Sequence, residues 1–271
     1  MKKIGMVLTS LLLVAGLVTG CGSTPAAPEK SNSGSATTAD IKAIKDRGVL
    51  KVGVKVDVPK FGYKDPKTEK VDGFEIDLAK AISKEILGSE KIETTAVTAK
   101  TRGPLLDSGD VDLVIATFTV TEERKKSYNF SDSYFTDGVK LMVKKNSGVK
   151  GLKDLDGKKI GVAQSATSKK AIQEAADKLG AKVSFLEFST YPEIKTALDS
   201  GRVDCFSVDG SILFGYLDDS TVILEDSFSP QDYGVASKKG NDGLAKLVND
   251  TIAAQKKSGE LDKLIQKWGL K

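Results

Sequence analysis

Apolar and polar residues along the chain form short alternating runs, separated by longer stretches with helical periodicity. Residues 50–56 alternate apolar and polar side chains, as a strand does, and residues 73–86 place Ile76, Ile82 and Ile86 at helical spacing. Strands that alternate with helices predict α/β layers with mainly parallel sheets. The same patterns predict further strands at 111–116, 141–143, 159–163, 183–188 and 203–208, and helices at 168–179 and 244–264.

A short motif occurs twice and sharpens this prediction. It reads LDSGDVD at 106–112 and LDSGRVD at 198–204, and each copy follows a helical stretch and precedes an apolar strand. Each copy also lies downstream of a similar strand, KVGV from Lys51 or KIGV from Lys159. A glycine can end a helix and allow a tight entry into the next strand. Two similarly built lobes are therefore expected, with ligands in the cleft outside the carboxyl ends of the strands. Chance recurrence of a common helix ending is the alternative.

Residues 1–20 are predicted to be a targeting segment. A basic start is followed by an apolar run that is short for a membrane span and ends in Val-Thr-Gly before Cys21. This ending resembles the lipobox of bacterial lipoproteins, which implies cleavage before Cys21 and a diacylglycerol on its thiol. A plain secretory signal is the alternative. Residues 21–39 are rich in Gly, Ser, Thr, Ala and Pro, a composition typical of a flexible tether.

Composition excludes several kinds of active site. The 271 residues include no histidine, which removes Ser-His-Asp and Cys-His catalysis and every His-ligated zinc or iron site. The two cysteines, Cys21 and Cys205, are too few for a four-thiolate metal site, and no cofactor is expected. Cys205 lies in an apolar run and is predicted to be buried. Without Lys2 and Lys3 the chain has 39 basic against 37 acidic residues, which argues against nucleic acid as a partner.

Arg124 is the first candidate for a binding residue. It lies in the segment 116–126, ATFTVTEERKK, where a strand ends and a helix is expected to begin at an N-cap, Thr121. An arginine in the first turn opposes the helix dipole, so its presence there points to a function. Its planar fork suits a carboxylate. The alternative is a surface ion pair with Glu122 or Asp132.

Several motifs, taken in order, resemble the amino-acid-binding solute receptors of ABC importers, solute-binding protein family 3. The similarity covers residues 40–271. The stretches KTRGPLLDSG, VDLVIATFTVTEER and GVAQSATSKKAI are most similar to the aspartate/glutamate-binding branch, which includes a cell-surface adhesin. The motifs that carry the resemblance are GFEIDLA at 73–79, RGPLLDSG at 102–109, TVTEER at 119–124, YNFSD at 128–132 with Tyr134, GVAQSATS at 161–168 and Val208-Asp209.

The resemblance implies a periplasmic-binding-protein fold. In this fold two α/β lobes are joined by two hinge strands, and the ligand cleft lies between the lobes. The expected division is a lipoprotein signal peptide at 1–20, a tether at 21–39, the first part of lobe 1 at 40–134, lobe 2 at 135–229 and a return to lobe 1 at 230–271.

The resemblance also assigns roles toward an amino-acid ligand. Arg124 is expected to hold the α-carboxylate and Thr119 to add a hydroxyl donor. The backbone carbonyl of Thr117 and the carboxylate of Asp209 are expected to take the α-ammonium group. For Asp209 the alternative is a loop residue that forms an Asx-turn.

Three residues of lobe 2 complete this part of the prediction. Thr167 and Ser168 begin a helix whose free N–H groups favour an anion. Both could instead only cap that helix. Tyr191 is expected to reach the ligand, or alternatively to pack against its own lobe.

Two departures from common members bear on specificity. Many relatives have an aspartate where this chain has Lys55, and an aromatic residue where it has Val58. Lys55 and Arg102 would offer two positive charges to a side-chain carboxylate. The alternatives are a solvated lysine at the strand end and an arginine that braces the cleft wall.

The predicted function is therefore an extracytoplasmic, lipid-anchored receptor that captures aspartate or glutamate and delivers it to an ABC permease. It is not expected to be an enzyme, because Asp209 is the one carboxylate expected in the cleft and the ammonium group would occupy it. The alternatives are a receptor for glutamine or another polar amino acid, a surface adhesin, and a dehydratase on the same fold.

Overall fold

The elements that the sequence predicts form two main sheets and the helices that cover them. The computed structural model describes residues 38–270. The helices are α1 Ala39–Arg47, α2 Phe74–Leu87, α3 Arg102–Ser108, α4 Glu122–Ser127, α5 Ser168–Leu179, α6 Tyr191–Asp199, α7 Gly210–Phe214, α8 Asp242–Ser258 and α9 Glu260–Lys267, with a 3-10 helix at Leu152–Leu155. The strands are β1 Leu50–Val54, β2 Asp57–Val58, β3 Gly62–Lys64, β4 Val71–Asp72, β5 Ile92–Ala96, β6 Leu113–Ile115, β7 Tyr128–Phe130, β8 Phe135–Lys144, β9 Lys159–Ala163, β10 Ser184–Phe188, β11 Cys205–Asp209, β12 Thr221–Ile223, β13 Phe228–Tyr233 and β14 Ala236–Lys238.

Each main sheet has a parallel half and an antiparallel half. The first sheet has the order β5-β1-β6-β14-β7, with β5, β1 and β6 parallel and β14 antiparallel to both of its neighbours. The second has the order β10-β9-β11-β8-β12, with β8 antiparallel to β11, β12 and β13. The prediction of mainly parallel sheets is therefore wrong for one half of each sheet, because the connecting strands run back against the parallel ones.

Two strand connections join the sheets. The chain leaves the first sheet after β7, enters the second at β8, and returns from β13 to β14. The two connections run side by side, since the Tyr134 amide donates to the Tyr233 carbonyl at 2.8 Å. Lobe 1 is named here for the first sheet and lobe 2 for the second. Two α/β lobes joined by two connections are the fold that the resemblance implied, and that prediction is confirmed.

The repeated motif has the same local structure in both lobes. Asp112 accepts a hydrogen bond from the Lys51 amide at 2.8 Å, and Asp204 accepts one from the Lys159 amide at 2.9 Å. The glycines of the two motifs have φ angles of 80° and 76°, which closes the preceding helix in each lobe. The last residue of each motif thus fixes the start of the neighbouring strand, so the recurrence reflects two similarly built lobes.

An aromatic cluster fills the space where the connections cross. Phe61 meets Phe135 edge-on with ring centroids 5.2 Å apart, and Phe135 stacks on Tyr233 at 5.9 Å. All three side chains are buried. Such aromatic pairs stabilise beyond the area they bury, so the cluster fixes the crossing that both lobes share.

Three details of the sequence prediction can be checked here. Cys205 is buried and unpaired, as expected. The single helix predicted at 244–264 is wrong, because Gly259 with φ 77° separates α8 from α9. The helix α1 begins at Ala39, the last residue of the predicted tether.

Across residues 38–270, no helix has both the length and the apolar character needed to cross a membrane. Cys21 and the signal segment lie outside these residues.

Candidate functional site

Arg124 reaches from lobe 1 to lobe 2. Its amide donates to Thr121 Oγ1 at 3.1 Å, which confirms the predicted N-cap of α4. Its Nη1 donates to the Thr119 carbonyl at 2.8 Å, and its Nη2 donates to the Ser165 carbonyl at 3.0 Å. Ser165 precedes α5 in lobe 2, so this guanidinium spans the cleft. The alternative ion pair with a nearby carboxylate is not found among residues 38–270.

Arg102 is buried in the wall of lobe 1. Its Nη1 donates to the carbonyls of Ala116 and Thr117, at 2.7 and 3.1 Å. Its Nε is buried and has no partner within the described part of the chain. The bracing alternative is therefore seen, but it uses only one edge of the guanidinium. The Nε donor of the guanidinium is left without a partner among residues 38–270.

The two arginines share the ring of Phe118 and lack acidic partners. Burial is the largest effect on the pKa of Arg124, and with the nearby Arg102 charge it lowers that pKa to about 9, so the group stays charged at neutral pH. Neither guanidinium forms an ion pair with a carboxylate of residues 38–270. The nearby Asp209 charge acts on both arginines without ion-pair contact, so hydrogen-bond donors remain for an anionic group such as an α-carboxylate.

The start of α5 presents donors on the lobe 2 side. Thr167 Oγ1 donates to Gln231 Oε1 at 2.6 Å and does not cap the helix. Ser168 Oγ is buried without a partner among the described residues. The capping alternative is therefore not realised by either side chain. A helix N-terminus beside an unpartnered hydroxyl suits a carboxylate.

Gln231 was missed by the sequence analysis. Its Oε1 accepts from Thr119 Oγ1 at 2.9 Å as well as from Thr167, and its side chain is buried in β13. It therefore links the two threonines that lie on opposite lobes. No local sequence pattern indicates this role, because Gln231 is far in sequence from both Thr119 and Thr167.

Asp209 lies at the end of β11, buried between the lobes. Its Oδ2 accepts a hydrogen bond from the Tyr233 hydroxyl at 2.5 Å. Burial raises the pKa of Asp209 to about 7, helped by the charge of Asp137, while the Tyr233 hydrogen bond and the two arginines act in the opposite direction. The side chain forms no cap on α7, so the Asx-turn alternative is not seen. A cationic ligand group would restore the ionised form of this carboxyl.

Lys55 departs from the prediction that its charge is unpaired. Its side chain is 2% exposed, and its Nζ lies 2.9 Å from Asp57 Oδ1. The Lys55 side chain therefore does not project into solvent, and its charge already has a partner without a ligand. The contact has the distance of an ion pair without the angle of a hydrogen bond, since Asp57 Oδ1 has no hydrogen-bond partner. Burial lowers the pKa of Lys55, and the Asp57 charge opposes that shift.

Tyr191 belongs to lobe 2 and faces Lys55. The Lys55 Nζ lies 4.6 Å from the centroid of its ring, within the range of a cation–π contact. The ring also packs against Phe206 and Tyr216, so the packing alternative and the cleft position are both realised. The Tyr191 amide lies 3.4 Å from Asp57 Oδ2, and the Tyr216 hydroxyl donates to the Asp57 carbonyl.

Two acidic residues of the site were not anticipated. The expectation that Asp209 is the one cleft carboxylate is wrong, because Asp57 bridges Lys55 and the start of α6. Glu75 lies behind the wall, fully buried in the first turn of α2. Burial raises the pKa of Glu75 to about 7, although hydrogen bonds from Tyr134 and the Thr117 amide act against this rise.

The fold and this cleft define a class of protein, the two-lobed amino-acid receptors. The chain belongs to the bacterial extracellular solute-binding proteins, family 3, whose model matches residues 50–271. It is an amino-acid-binding receptor of an ABC transporter and acts outside the cytoplasm.

Named relatives and a solved structure agree with this membership. The ABC transporter glutamine-binding protein GlnH of Bacillus subtilis is 41% identical over 273 residues, covering 99% of this chain and 97% of its own. The L-glutamate/L-aspartate-binding protein of Pseudomonas aeruginosa is 30% identical, covering 85% and 80%. The structure of an ancestral arginine-binding protein bound to arginine has a TM-score of 0.74 and 40% identity, covering 82% of this chain and 98% of that one. Specific membership of the acidic branch is not established by these likenesses.

Proposed function

We propose that this receptor captures aspartate or glutamate by closure of its lobes and delivers it to an ABC permease. The observation that carries the proposal is the pair of guanidiniums, Arg102 and Arg124, that lack ion-pair partners among residues 38–270. A ligand with two carboxylates would supply one to each. Hydrogen bonds to charged groups are worth about 1.5–3 kcal/mol each, enough to set a preference.

The α-groups of the ligand would be held by both lobes. Arg124 would bind the α-carboxylate, with Ser168 at the start of α5 as a further donor. Thr119 and Thr167 would donate as well once their hydroxyl groups turn away from Gln231 Oε1. Asp209 would pair with the α-ammonium group, assisted by the Thr117 carbonyl. Because contacts come from both lobes, the bound ligand would stabilise the closed arrangement.

The side chain of the ligand would meet Arg102 first. Its Nε edge is buried and unpartnered in the described structure, which is the state that a carboxylate would relieve. Lys55 is a weaker partner than the sequence implied, because Asp57 already neutralises its charge. Its N–H groups remain donors toward a ligand oxygen, and Tyr191 would close the pocket beside it.

Glutamine is the second candidate. GlnH, at 41% identity, is named a glutamine-binding protein, whereas the Pseudomonas aeruginosa protein, which is named for glutamate and aspartate, is 30% identical. A glutamine amide could accept a hydrogen bond from Arg102 with its carbonyl oxygen. It brings no charge, however, and would leave the guanidinium without a counter-ion.

Calorimetric titration of the purified protein tests the choice. Aspartate or glutamate should bind at least about tenfold more tightly than glutamine, equivalent to about 1.4 kcal/mol. Arginine serves as a comparison, since its cationic side chain would face Arg102. If glutamine binds most tightly, the receptor is a glutamine receptor and the side-chain pocket has been misassigned. Turnover assays with cyclic amino-acid precursors and cell-binding tests address the dehydratase and adhesin alternatives.

The proposal includes attachment to the membrane. A lipid on Cys21 would anchor the chain, and residues 21–39 would let the two lobes reach a permease. The proposal keeps the lobe boundaries at 134/135 and 229/230, the second of which falls within β13. The lipid anchor is inferred from the lipobox, because acyl chains can hold an otherwise water-exposed protein at a membrane.

A further inference from the structure

Thr117 has a backbone conformation that β-branched residues rarely adopt. Its φ is 45°, in the left-handed region, and it lies just past the end of β6. It is also the residue whose carbonyl is proposed to meet the ligand ammonium group. An unfavourable conformation at a binding position persists only when the surroundings hold it.

The peptide unit between Ala116 and Thr117 is held on both sides. Its carbonyl oxygen, that of Ala116, accepts from Arg102 Nη1 at 2.7 Å. Its N–H group, that of Thr117, donates to Glu75 Oε1 at 2.6 Å. The plane of this peptide is therefore fixed by an arginine at one end and a glutamate at the other.

Glu75 is itself fixed in place. Its side chain is fully buried, and the same Oε1 accepts from the Tyr134 hydroxyl at 2.5 Å. Tyr134 is buried between β7 and β8, where the chain passes to lobe 2. The carboxylate thus connects α2, the turn after β6 and the crossing between the lobes.

We propose that Glu75 is a positioning residue. By holding the Ala116–Thr117 peptide it keeps the backbone of Thr117 at its positive φ, which in turn directs the carbonyl of the next peptide, that of Thr117, toward the ligand ammonium group. Glu75 itself does not contact the ligand. The inference rests on the proposed function only in assigning the Thr117 carbonyl to the ligand. The held peptide is a property of the unliganded protein.

Three variants separate positioning from general stability. Glu75→Leu removes the acceptor at similar size, Glu75→Gln keeps an acceptor oxygen, and Tyr134→Phe removes the other hydrogen bond to Glu75 while leaving the Thr117 contact. Calorimetric titration with glutamate, or with glutamine if the wild-type protein binds that more tightly, should give at least a tenfold loss of affinity for Glu75→Leu. Glu75→Gln and Tyr134→Phe should stay within about threefold of the wild-type affinity, even where the melting temperature falls.

Two outcomes would overturn the proposal. A folded Glu75→Leu protein with wild-type affinity would do so, and so would a loss in Tyr134→Phe as large as that in Glu75→Leu. Amide hydrogen exchange at Thr117 in the ligand-free wild-type protein tests the held peptide even if Glu75→Leu does not fold. Strong protection supports the proposal, and exchange at the rate of an open loop refutes it. Failure of the wild-type protein to bind any amino acid would instead refute the proposed function and leave the exchange result standing.

Discussion

The guanidiniums of Arg102 and Arg124 lie against the same ring, with their central carbons 4.0 and 4.8 Å from the centroid of Phe118. The ring stabilises both cations, yet the two like charges repel each other. Within residues 38–270 neither charge has a carboxylate in ion-pair contact. An anionic ligand between the lobes would reduce the repulsion and pair with both charges. Because the proposal gives the two arginines different ligand groups, we expect their replacement to cause different binding defects.

Arg124→Ala should abolish useful binding of every amino-acid ligand while leaving the fold intact. Loss of one partner of a buried charge pair costs about 2–5 kcal/mol, or about 30-fold to several thousand-fold in affinity. Calorimetry on the folded variant measures the loss. Lys125→Ala is the matched control, because the neighbouring Lys125 is exposed and pairs with Glu122 at 2.8 Å. Near-wild-type affinity of Arg124→Ala would remove this residue from the site.

Arg102→Gln should change selectivity rather than all binding. The glutamine side chain keeps donors for the wall carbonyls but removes the charge proposed to meet the ligand side chain. The ratio of glutamate to glutamine affinity should fall by at least about tenfold. Titration of the same variant with both ligands provides an internal control. An equal loss for both would mean that Arg102 only braces the wall.

Local patterns were enough to predict the longer helices and six of the fourteen strands in the described part of the chain. The strand Lys159–Ala163 and the helix Ser168–Leu179 have the predicted bounds, and Thr121 caps α4 as expected. These features depend on periodicity and on side-chain-to-backbone bonds within a few residues. Even the repeated LDSG motif is a local signal, because each copy closes its own helix.

Long-range pairing could not be predicted in the same way. The bond between Glu75 and the Thr117 amide spans 42 residues, and that between Thr119 and Gln231 spans 112. Lys55 was misread for a different reason, because its partner is local. From the sequence its charge was counted as free, but the fold brings its side chain into contact with Asp57, only two residues away. The family motifs indicated which residues gather at the cleft, but not which of them already have partners.

We expect the Asp209 carboxyl to release a proton when an amino acid binds. With a pKa of about 7 in the ligand-free protein, about half of the Asp209 carboxyls are protonated at pH 7. A ligand ammonium group favours the ionised form and lowers this pKa. Binding at pH 7 should therefore release about half a proton, measured from calorimetric enthalpies in buffers of different ionisation heat. Asp209→Asn should bind weakly and release none, and equal release by both proteins would contradict the assignment.

The same pKa fixes the sign of a stability effect. Between its unfolded value near 4 and about 7, the folded protein holds the Asp209 proton and the unfolded chain does not. The ligand-free protein should therefore lose stability relative to Asp209→Asn as pH rises through this range, and the difference should level off above about 7. Urea unfolding of both proteins at pH 5, 6, 7 and 8 measures it. A difference that does not change with pH would contradict the raised pKa.

Cys21→Ser should release the protein from the membrane and leave its binding unchanged. The reason is the lipobox, since acyl chains on the Cys21 thiol would be the anchor. Membrane fractionation of expressing cells, with ligand titration of the released protein, provides the measurement. Cys205→Ala is the matched control, because that thiol is buried within β11 and should not affect attachment. A Cys21→Ser protein that stays tightly membrane-bound would count against a lipoprotein.

The two lobes should differ in how they tolerate a methyl group at equivalent strand positions. Gly53 and Gly161 are the glycines of KVGV and KIGV. A Cβ on Gly161 would lie 2.6 Å from Ile194 Cγ2, whereas a Cβ on Gly53 would lie no closer than 3.0 Å to Val97 Cγ1. Overpacking a filled core costs about 1–3 kcal/mol. Gly161→Ala should therefore lower the free energy of unfolding by about that amount, and by more than Gly53→Ala does.

A double-mutant cycle tests whether the side chain of Ile194 is the cause. Gly161 lies on β9 and Ile194 on α6, which packs on that strand, so the added methyl group and the isoleucine compete for one volume. Ile194→Ala alone opens a cavity and destabilises by about 2–5 kcal/mol. In the double variant the alanine methyl at 161 partly fills that space, so the combined loss should be smaller than the sum by about 0.5–3 kcal/mol. Denaturant unfolding of the four proteins gives the coupling energy. If the two losses of stability were strictly additive, the cost of Gly161→Ala would arise elsewhere, in the backbone or at Val203. Close packing of α6 on β9 would then not be the reason for a glycine at this position.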